Sequence, residues 1–321
     1  MSRNKTFIVT GGLGFIGSHF IEKALNTGYT IINIDNETYA ANKDLKFSGN
    51  YTHIKEDISK IVDLPHCHAI INFAAESHVD NSIEDSFNFI RTNILGVYNL
   101  LEIIKNKKIK NAIAAWEYEC PLFVQISTDE VFGDIEEGFF NESDRHIPSN
   151  PYSATKSSAE QLVSAWGRTY KIPYIITRTT NNYGPRQHPE KLIPKSITSI
   201  LNKEKIPIHG NGTHIRNWIH VDDNVDAIFK IIESGNKNES YHISSSEEFS
   251  VKEVVKIICK NTNSDYENVT NNVMDRSGAD TRYALDNNKL RKLGWTQKKF
   301  FESEIKKIIE DYRGKNYDSI V

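Results

Sequence analysis

The sequence predicts an α/β fold: a doubly wound parallel sheet with a smaller C-terminal lobe. Three observations predict it. Short β-rich runs alternate with helical stretches through the first half, a glycine-rich turn joins the first strand to the first helix, and after Thr180 the texture breaks into shorter elements. The chain has 321 residues and 38% hydrophobic content, enough to bury a core as one large α/β unit or as two lobes.

The elements follow in order. Thr6–Thr10 reads as a buried strand, Phe15–Asn26 as a helix and Tyr29–Ile34 as a second strand, with a third short strand before Asp57. Ala69–Phe73 and Leu122–Ser127 are further strands, and the amphipathic stretch Ser82–Lys105 between them reads as helix. Pro151–Tyr170 is helical, with Pro151 in the first turn, where a missing N–H costs nothing, and Pro173–Arg178 is again strand. Strands alternating with helices imply βαβ units and a sheet covered on both faces. Asn181-Asn182-Tyr183-Gly184-Pro185 and Gly210-Asn211-Gly212 are turn signals that punctuate the second half. These place residues 1–180 in the first domain and 181–321 in the second lobe, with 217–244 returning to the first through a helix at Val221–Glu233.

Composition excludes several classes. The formal net charge is −3 with acids and bases interspersed, so no basic stripe points to nucleic acid or to a membrane surface. The residues before the first strand are too few for a signal peptide, and no apolar run reaches membrane-spanning length. Three scattered cysteines (Cys67, Cys120, Cys259) suit a reducing cytoplasm better than a disulfide framework. His66-Cys67-His68 lacks a companion cluster at ligand spacing, so no metal is expected.

Gly11-Gly12-Leu13-Gly14-Phe15-Ile16-Gly17 follows the first strand and opens the first helix. Gly12, Gly14 and Gly17 satisfy G-x-G-x-x-G, and Gly11, Gly14 and Gly17 give the wider spacing. Such a turn lets backbone N–H groups approach a diphosphate closely, the fingerprint of a Rossmann dinucleotide site. Asp35 lies about 20 residues further on, where a carboxylate accepts bonds from ribose hydroxyls and repels the extra phosphate of NADP. NAD is therefore the expected cofactor. Asp57 and Ile58 are candidates for holding the adenine.

Tyr152 and Lys156 stand at i and i+4 and share one helical face. A nearby ammonium is expected to lower the phenol's pKa and let it accept a hydroxyl proton during hydride transfer. Upstream, Thr128 offers a hydroxyl to an alcohol being oxidised. Asp129 and Glu130 beside it are more than an alcohol dehydrogenase needs and suit an elimination, in which one group removes a proton and the other supplies one. Adjacent strand residues point to opposite faces, so this reading requires irregular backbone at Asp129-Glu130.

The chain resembles the extended short-chain dehydrogenase/reductase family and, within it, the nucleotide-sugar 4,6-dehydratases of the dTDP-glucose type. The likeness rests on the glycine motif, Ala74-Ala75-Glu76-Ser77-His78-Val79-Asp80, Ser127-Thr128-Asp129-Glu130-Val131-Phe132-Gly133 and Pro151-Tyr152-Ser153-Ala154-Thr155-Lys156. It continues in Asn181–Pro185, Pro189–Pro194, Ile215-Arg216-Asn217-Trp218 and Asp275-Arg276-Ser277-Gly278. The resemblance implies a hydro-lyase with Thr128, Asp129, Glu130, Tyr152 and Lys156 as catalytic residues: oxidation at C4 by NAD, proton removal at C5 by Glu130, loss of the C6 hydroxyl assisted by Asp129, and hydride return to C6. By the same matching Gly11, Gly14, Phe15, Ile16, Gly17, Asp35, Asp57, Ile58, Ala75, Ser77, Thr92, Tyr152, Lys156 and Asn182 line NAD. Ser77, Thr128, Asn181, Lys191, Leu192, Arg216, His242, Asp275 and Arg276 hold the nucleotide sugar in the C-terminal lobe. The stretches 82–105 and 151–170 would pack against a second copy to make a homodimer.

The chain also departs from the pattern. Histidine stands at 242 where asparagine is common, alanine replaces glycine in Tyr39-Ala40-Ala41, and Gly133–Asn150 is short. GDP-, UDP- or CDP-linked and N-acetylated hexoses therefore stay open as substrates. A nucleotide-sugar 4-epimerase is the rival activity.

Overall fold

The structure, a computed structural model, describes residues 5–114, 119–275 and 280–314. In chain order the first half runs β1 (Thr6–Thr10), α1 (Phe15–Asn26), β2 (Thr30–Asp35), β3 (Tyr51–Lys55), β4 (Ala69–Asn72), α2 (Val79–Glu84), α3 (Ser86–Phe89), a π-helical stretch (Ile90–Gly96), α4 (Val97–Ile113), β5 (Leu122–Thr128), a 3-10 turn (Asp129–Phe132), α5 (Pro151–Tyr170) and β6 (Tyr174–Thr179). The second half adds β7 (Asn181–Tyr183), α6 (Leu192–Leu201), β8 (Ile206–His209), β9 (Ile215–His220), α7 (Val221–Ser234), β10 (Glu239–Ile243), β11 (Glu248–Ser250), α8 (Val251–Thr262), α9 (Tyr266–Val269), β12 (Thr270–Val273), α10 (Asn288–Lys292) and α11 (Phe301–Gly314).

Seven strands form one sheet in the order β10-β6-β5-β4-β1-β2-β3, and every pairing in it is parallel. Alternation along each strand feeds two cores. Phe7, Val9 and Val124 enter the layer under α1 and α7, whereas Ile8, Ile70 and Phe123 enter the layer under α4 and α5. Phe20 of α1 stacks on Phe229 of α7 at 4.5 Å between centroids, tying a helix from late in the chain onto the first domain. A third cluster, with Tyr183, Trp218, Ile258 and Phe301, sits in the second lobe.

Two expectations are corrected here. The single helix over 82–105 is instead α2, α3, the π-helical stretch and α4; Asp85 breaks the run because its side chain accepts from Phe87 N and caps a new helix. The stretch returning to the large sheet is Val221–Ile243, since Asn217–His220 belong to β9, which pairs with β7 and β11 in a separate three-stranded sheet.

Candidate active site

The site lies along the carboxyl edge of the large sheet, where the order reverses between β1 and β4; loops from both directions diverge there and leave a crevice. The glycine turn follows β1, Asp35 ends β2, Ala75 and Ser77 follow β4, Thr128 ends β5 and Asn182 follows β6.

At the glycine turn, Gly11 adopts φ +68°, and a Cβ on Gly17 would sit 2.4 Å from Gly11 O, so only glycine lets α1 approach the turn this closely. Gly14 precedes α1 in the capping position with no side chain to offer, and the first turn holds no acid, which leaves the helix's positive end for an anion. Asp35 accepts from Leu13 N at 2.9 Å and from Glu37 N at 2.8 Å, and is thereby aimed along the edge of the turn. Asp57 is nearly buried and accepts from Ser59 N and Oγ. The Ile58 side chain is packed in the core, so its backbone is the part that can face an adenine. Asn182 Oδ1 is buried with no hydrogen-bond partner among the described residues, although its Nδ2 donates to Thr179 Oγ1 and Thr180 O. The uncapped helix, the oriented carboxylate and this vacant acceptor fit a dinucleotide. Thr92 lies half-buried on the π-helical stretch.

The 3-10 turn supplies the irregular backbone that the acid pair needs. Leaving the strand at Thr128, the chain turns by about a third of a revolution per residue, so Asp129 and Glu130 do not fall on opposite sheet faces. Thr128 Oγ1 donates to Asp129 Oδ1 at 3.0 Å and accepts from Glu130 N at 3.3 Å. Asp129 Oδ2 is buried without a partner among the described residues. Burial, and next the Glu130 charge, push the Asp129 carboxyl up to about 7. Burial also raises Glu130, against the opposing pull of Arg216 and a hydrogen bond from Asn150 Nδ2 at 3.4 Å. Burial thus opposes ionisation of both acids, the condition under which one of them can carry a proton for an acid–base relay.

α5 delivers Tyr152 and Lys156. Its start is set by Asn150, which caps the helix and exchanges bonds with Ser153 in a capping box, with Pro151 following. Lys156 Nζ donates to Ile126 O at 2.5 Å, and burial lowers its ammonium to about 8. Tyr152 corrects the expectation of a lowered phenol. Burial, Glu130 and Asp129 all raise it, and the Thr128 hydroxyl offsets them only in part. The reason is that the phenol faces two carboxyl groups in a buried site.

Of the other expected ligands, Arg216 reaches the acids: its charge lowers both Asp129 and Glu130, while its Nη2 donates to Asp280 O at 2.9 Å and its plane lies 4.4 Å from the Tyr283 ring. Lys191 also acts on Glu130 and donates to Ser77 O at 3.4 Å. Leu192 opens α6 against the second-lobe core, and Asn181 is half-buried on β7. Asp275 pairs with His214 at 3.4 Å, and Arg276 lies outside the described residues. His242 is a correction. It is 0% exposed, its Nδ1 contacts Asp286 O at 3.1 Å and its Nε2 lies 3.3 Å from Arg178 Nη1, so both ring nitrogens are spent inside the fold. Burial and the neighbouring guanidinium hold it neutral, down to about 3.

Sequence reading missed Asn150, Asp280 and Tyr283. Asn150 had a usable signal, a capping residue immediately before Pro151. Asp280 accepts from Ser149 Oγ and Tyr283 Oη at 2.6 Å each, and only long-range folding brings it to Arg216.

Residues 8–308 match the family described as GDP-mannose 4,6 dehydratase. A low-salt glycan biosynthesis protein of Haloferax volcanii is 40% identical over 96% of this chain and 98% of its own length. The dTDP-glucose 4,6-dehydratase of Haemophilus influenzae is 40% identical over 95% and 97%. Among solved structures, a dTDP-glucose 4,6-dehydratase from Streptomyces venezuelae with NAD bound superposes with TM-score 0.88 at 34% identity, covering 98% of this chain and 100% of that one. A UDP-glucose 4-epimerase from Thermotoga maritima reaches TM-score 0.85 at 28% identity, covering 96% and 99%.

Proposed function

The chain belongs to the GDP-mannose 4,6 dehydratase family, and from that premise we propose that it is an NAD-dependent nucleotide-sugar 4,6-dehydratase converting dTDP-glucose to the 4-keto-6-deoxy sugar and water. The relatives named above support dTDP-glucose as substrate and NAD as cofactor. One observation carries the reading: a buried carboxyl, Asp129, with an oxygen left unpartnered among the described residues, on the same turn as a second carboxyl and facing the helix that carries the tyrosine–lysine pair. An epimerase would have no use for the two acids.

NAD, held by the residues assigned to it below, would supply reversible hydride chemistry beside the sugar. The chain's residues do the rest. Tyr152, whose raised phenol the Lys156 ammonium and the positive charge of bound NAD would pull back down, takes the C4 hydroxyl proton with Thr128 beside it; Glu130 removes the C5 proton made acidic by the new ketone and gives it back to C5 when hydride reaches C6; Asp129, its carboxyl raised by burial, gives its proton to the C6 hydroxyl as water leaves. Gly11, Gly14, Phe15, Ile16, Gly17, Asp35, Asp57, Ile58, Ala75, Ser77, Thr92 and Asn182 are assigned to the cofactor. Asn181, Lys191, Leu192 and Arg216 are assigned to the nucleotide diphosphate, where guanidinium matches phosphate geometry.

The same reading places a working homodimer in the cytoplasm. It is supported by the apolar side chains Phe87, Ile90, Leu95 and Tyr98 exposed from α3 to α4 and by three free cysteines. Among the described residues no helix is long and apolar enough to cross a membrane. The test is incubation with dTDP-glucose and a panel of GDP-, UDP- and CDP-hexoses, followed by mass spectrometry. Loss of water from dTDP-glucose is expected; isomerisation without loss of water overturns the assignment.

A further inference from the structure

One turn beyond Lys156 on α5 lies Glu160, only 1% exposed and unused in the chemistry above. Tyr152, Lys156 and Glu160 recur every fourth residue, so they run along one stripe of the helix. Glu160 is pinned from β6. Arg178 donates from Nε at 3.0 and 3.2 Å and from Nη2 at 2.7 Å to its two carboxylate oxygens. The remaining Arg178 nitrogen, Nη1, donates to Glu142 O at 3.1 Å and meets His242 Nε2 at 3.3 Å, while the guanidinium lies 4.9 Å from the Phe132 ring. With each of its edges engaged, Arg178 holds the carboxylate in one place beneath the active site.

We propose that Glu160, clamped by Arg178, is a positioning residue for sugar oxidation: its fixed negative charge keeps the buried Lys156 amine protonated, and so able to assist Tyr152. The functional half of this proposal rests on the dehydratase reading. A buried amine without a counter-charge tends to lose its proton. The elements packed on α5 bring Asp129 and Glu130 from the 3-10 turn, Tyr174 and Arg178 from β6, Asp80 and Glu84 from α2, Arg91 from the π-helical stretch, and Tyr98, Glu102, Lys105 and Lys108 from α4. His146, from the loop before α5, lies 3.7 Å from Glu160 Oε2. At Lys156 burial acts to remove the proton, and Glu160 is the charge that opposes it.

The test is a titration of Lys156 in the NAD-free protein by NMR with isotope-labelled lysine, its signal assigned by its loss in Lys156→Arg. Glu160→Gln leaves Arg178 uncompensated, so a Glu160→Gln/Arg178→Gln double variant and Glu160→Asp accompany it. Lys156 is expected to titrate lower by about one unit or more in Glu160→Gln, by less in the double variant, where the opposing Arg178 charge leaves as well, and nearer the native value in Glu160→Asp. The alkaline limb of the dehydration rate should move down with it. An unchanged Lys156 titration in folded Glu160→Gln, or in the double variant and Glu160→Asp if Glu160→Gln does not fold, overturns the proposal, as does a loss of rate equal at all pH values. The NMR arm needs no turnover: a native chain that fails to dehydrate any sugar sinks the functional reading and leaves the charge coupling to be judged by itself.

Discussion

Replacing Asp129 with asparagine isolates the cost of the acid pair. Burial and Glu130 raise this carboxyl from 3.8 to about 7 in the folded chain. A raised carboxylate pKa means that folding favours the protonated form. The group is therefore neutral to stability below its unfolded pKa and works against the folded state increasingly as pH climbs to 7 and above. At roughly 1.4 kcal/mol per pH unit, the rise amounts to about 4 kcal/mol. Asparagine cannot ionise, so Asp129→Asn escapes this penalty. It also carries a fixed cost of about 1–3 kcal/mol if its amide occupies the site of the unpartnered Oδ2. The pH dependence separates the two, because the fixed cost does not titrate. Urea unfolding of both proteins, free of NAD, at about pH 5 and about pH 8 should show the variant gaining about 3 kcal/mol on the native chain between the two conditions. A stability difference that does not move with pH would refute the assignment of a raised, buried acid at 129. Dehydration itself should fall steeply in the same variant, because water leaves without a proton donor.

Four further outcomes are expected. Tyr152→Phe should abolish appearance of reduced nicotinamide on adding sugar, whereas Glu130→Gln should still show that absorbance yet lose dehydration by about 10²–10⁴-fold, read by mass spectrometry. Asp35→Asn keeps the acceptor for Leu13 N while removing the charge, so discrimination against NADP should relax by at least about tenfold in a fluorescence binding titration. Gly17→Ala sets a methyl 2.4 Å from Gly11 O and should cost about 1–3 kcal/mol in urea unfolding along with NAD affinity.

Much of the fold is legible because its cues are local. A strand, a glycine turn and a helix succeed one another within Thr6–Asn26, and each is announced by residues a few positions apart. Asn150, Pro151 and Ser153 announce the start of α5 in the same way. The break at Asp85 was harder to read, because capping there competes with an apolar periodicity that continues across it. The irregular turn at Asp129 was deducible only as a requirement of the chemistry.

What the sequence by itself determined is the set of candidate groups and their order: the glycine turn, Asp35, the Thr128-Asp129-Glu130 run, and Tyr152 with Lys156. What the tertiary structure decided is the state of those groups. Whether Tyr152 is raised or lowered, whether Asp129 holds a proton, and whether His242 faces a ligand or the core all depend on burial and on charges from elsewhere in the chain; Arg216 is one such charge at Asp129, and Arg178 one at His242. Residue type sets an intrinsic proton affinity, but desolvation and Coulomb forces act through space, and distance through space is what a linear order of residues does not contain.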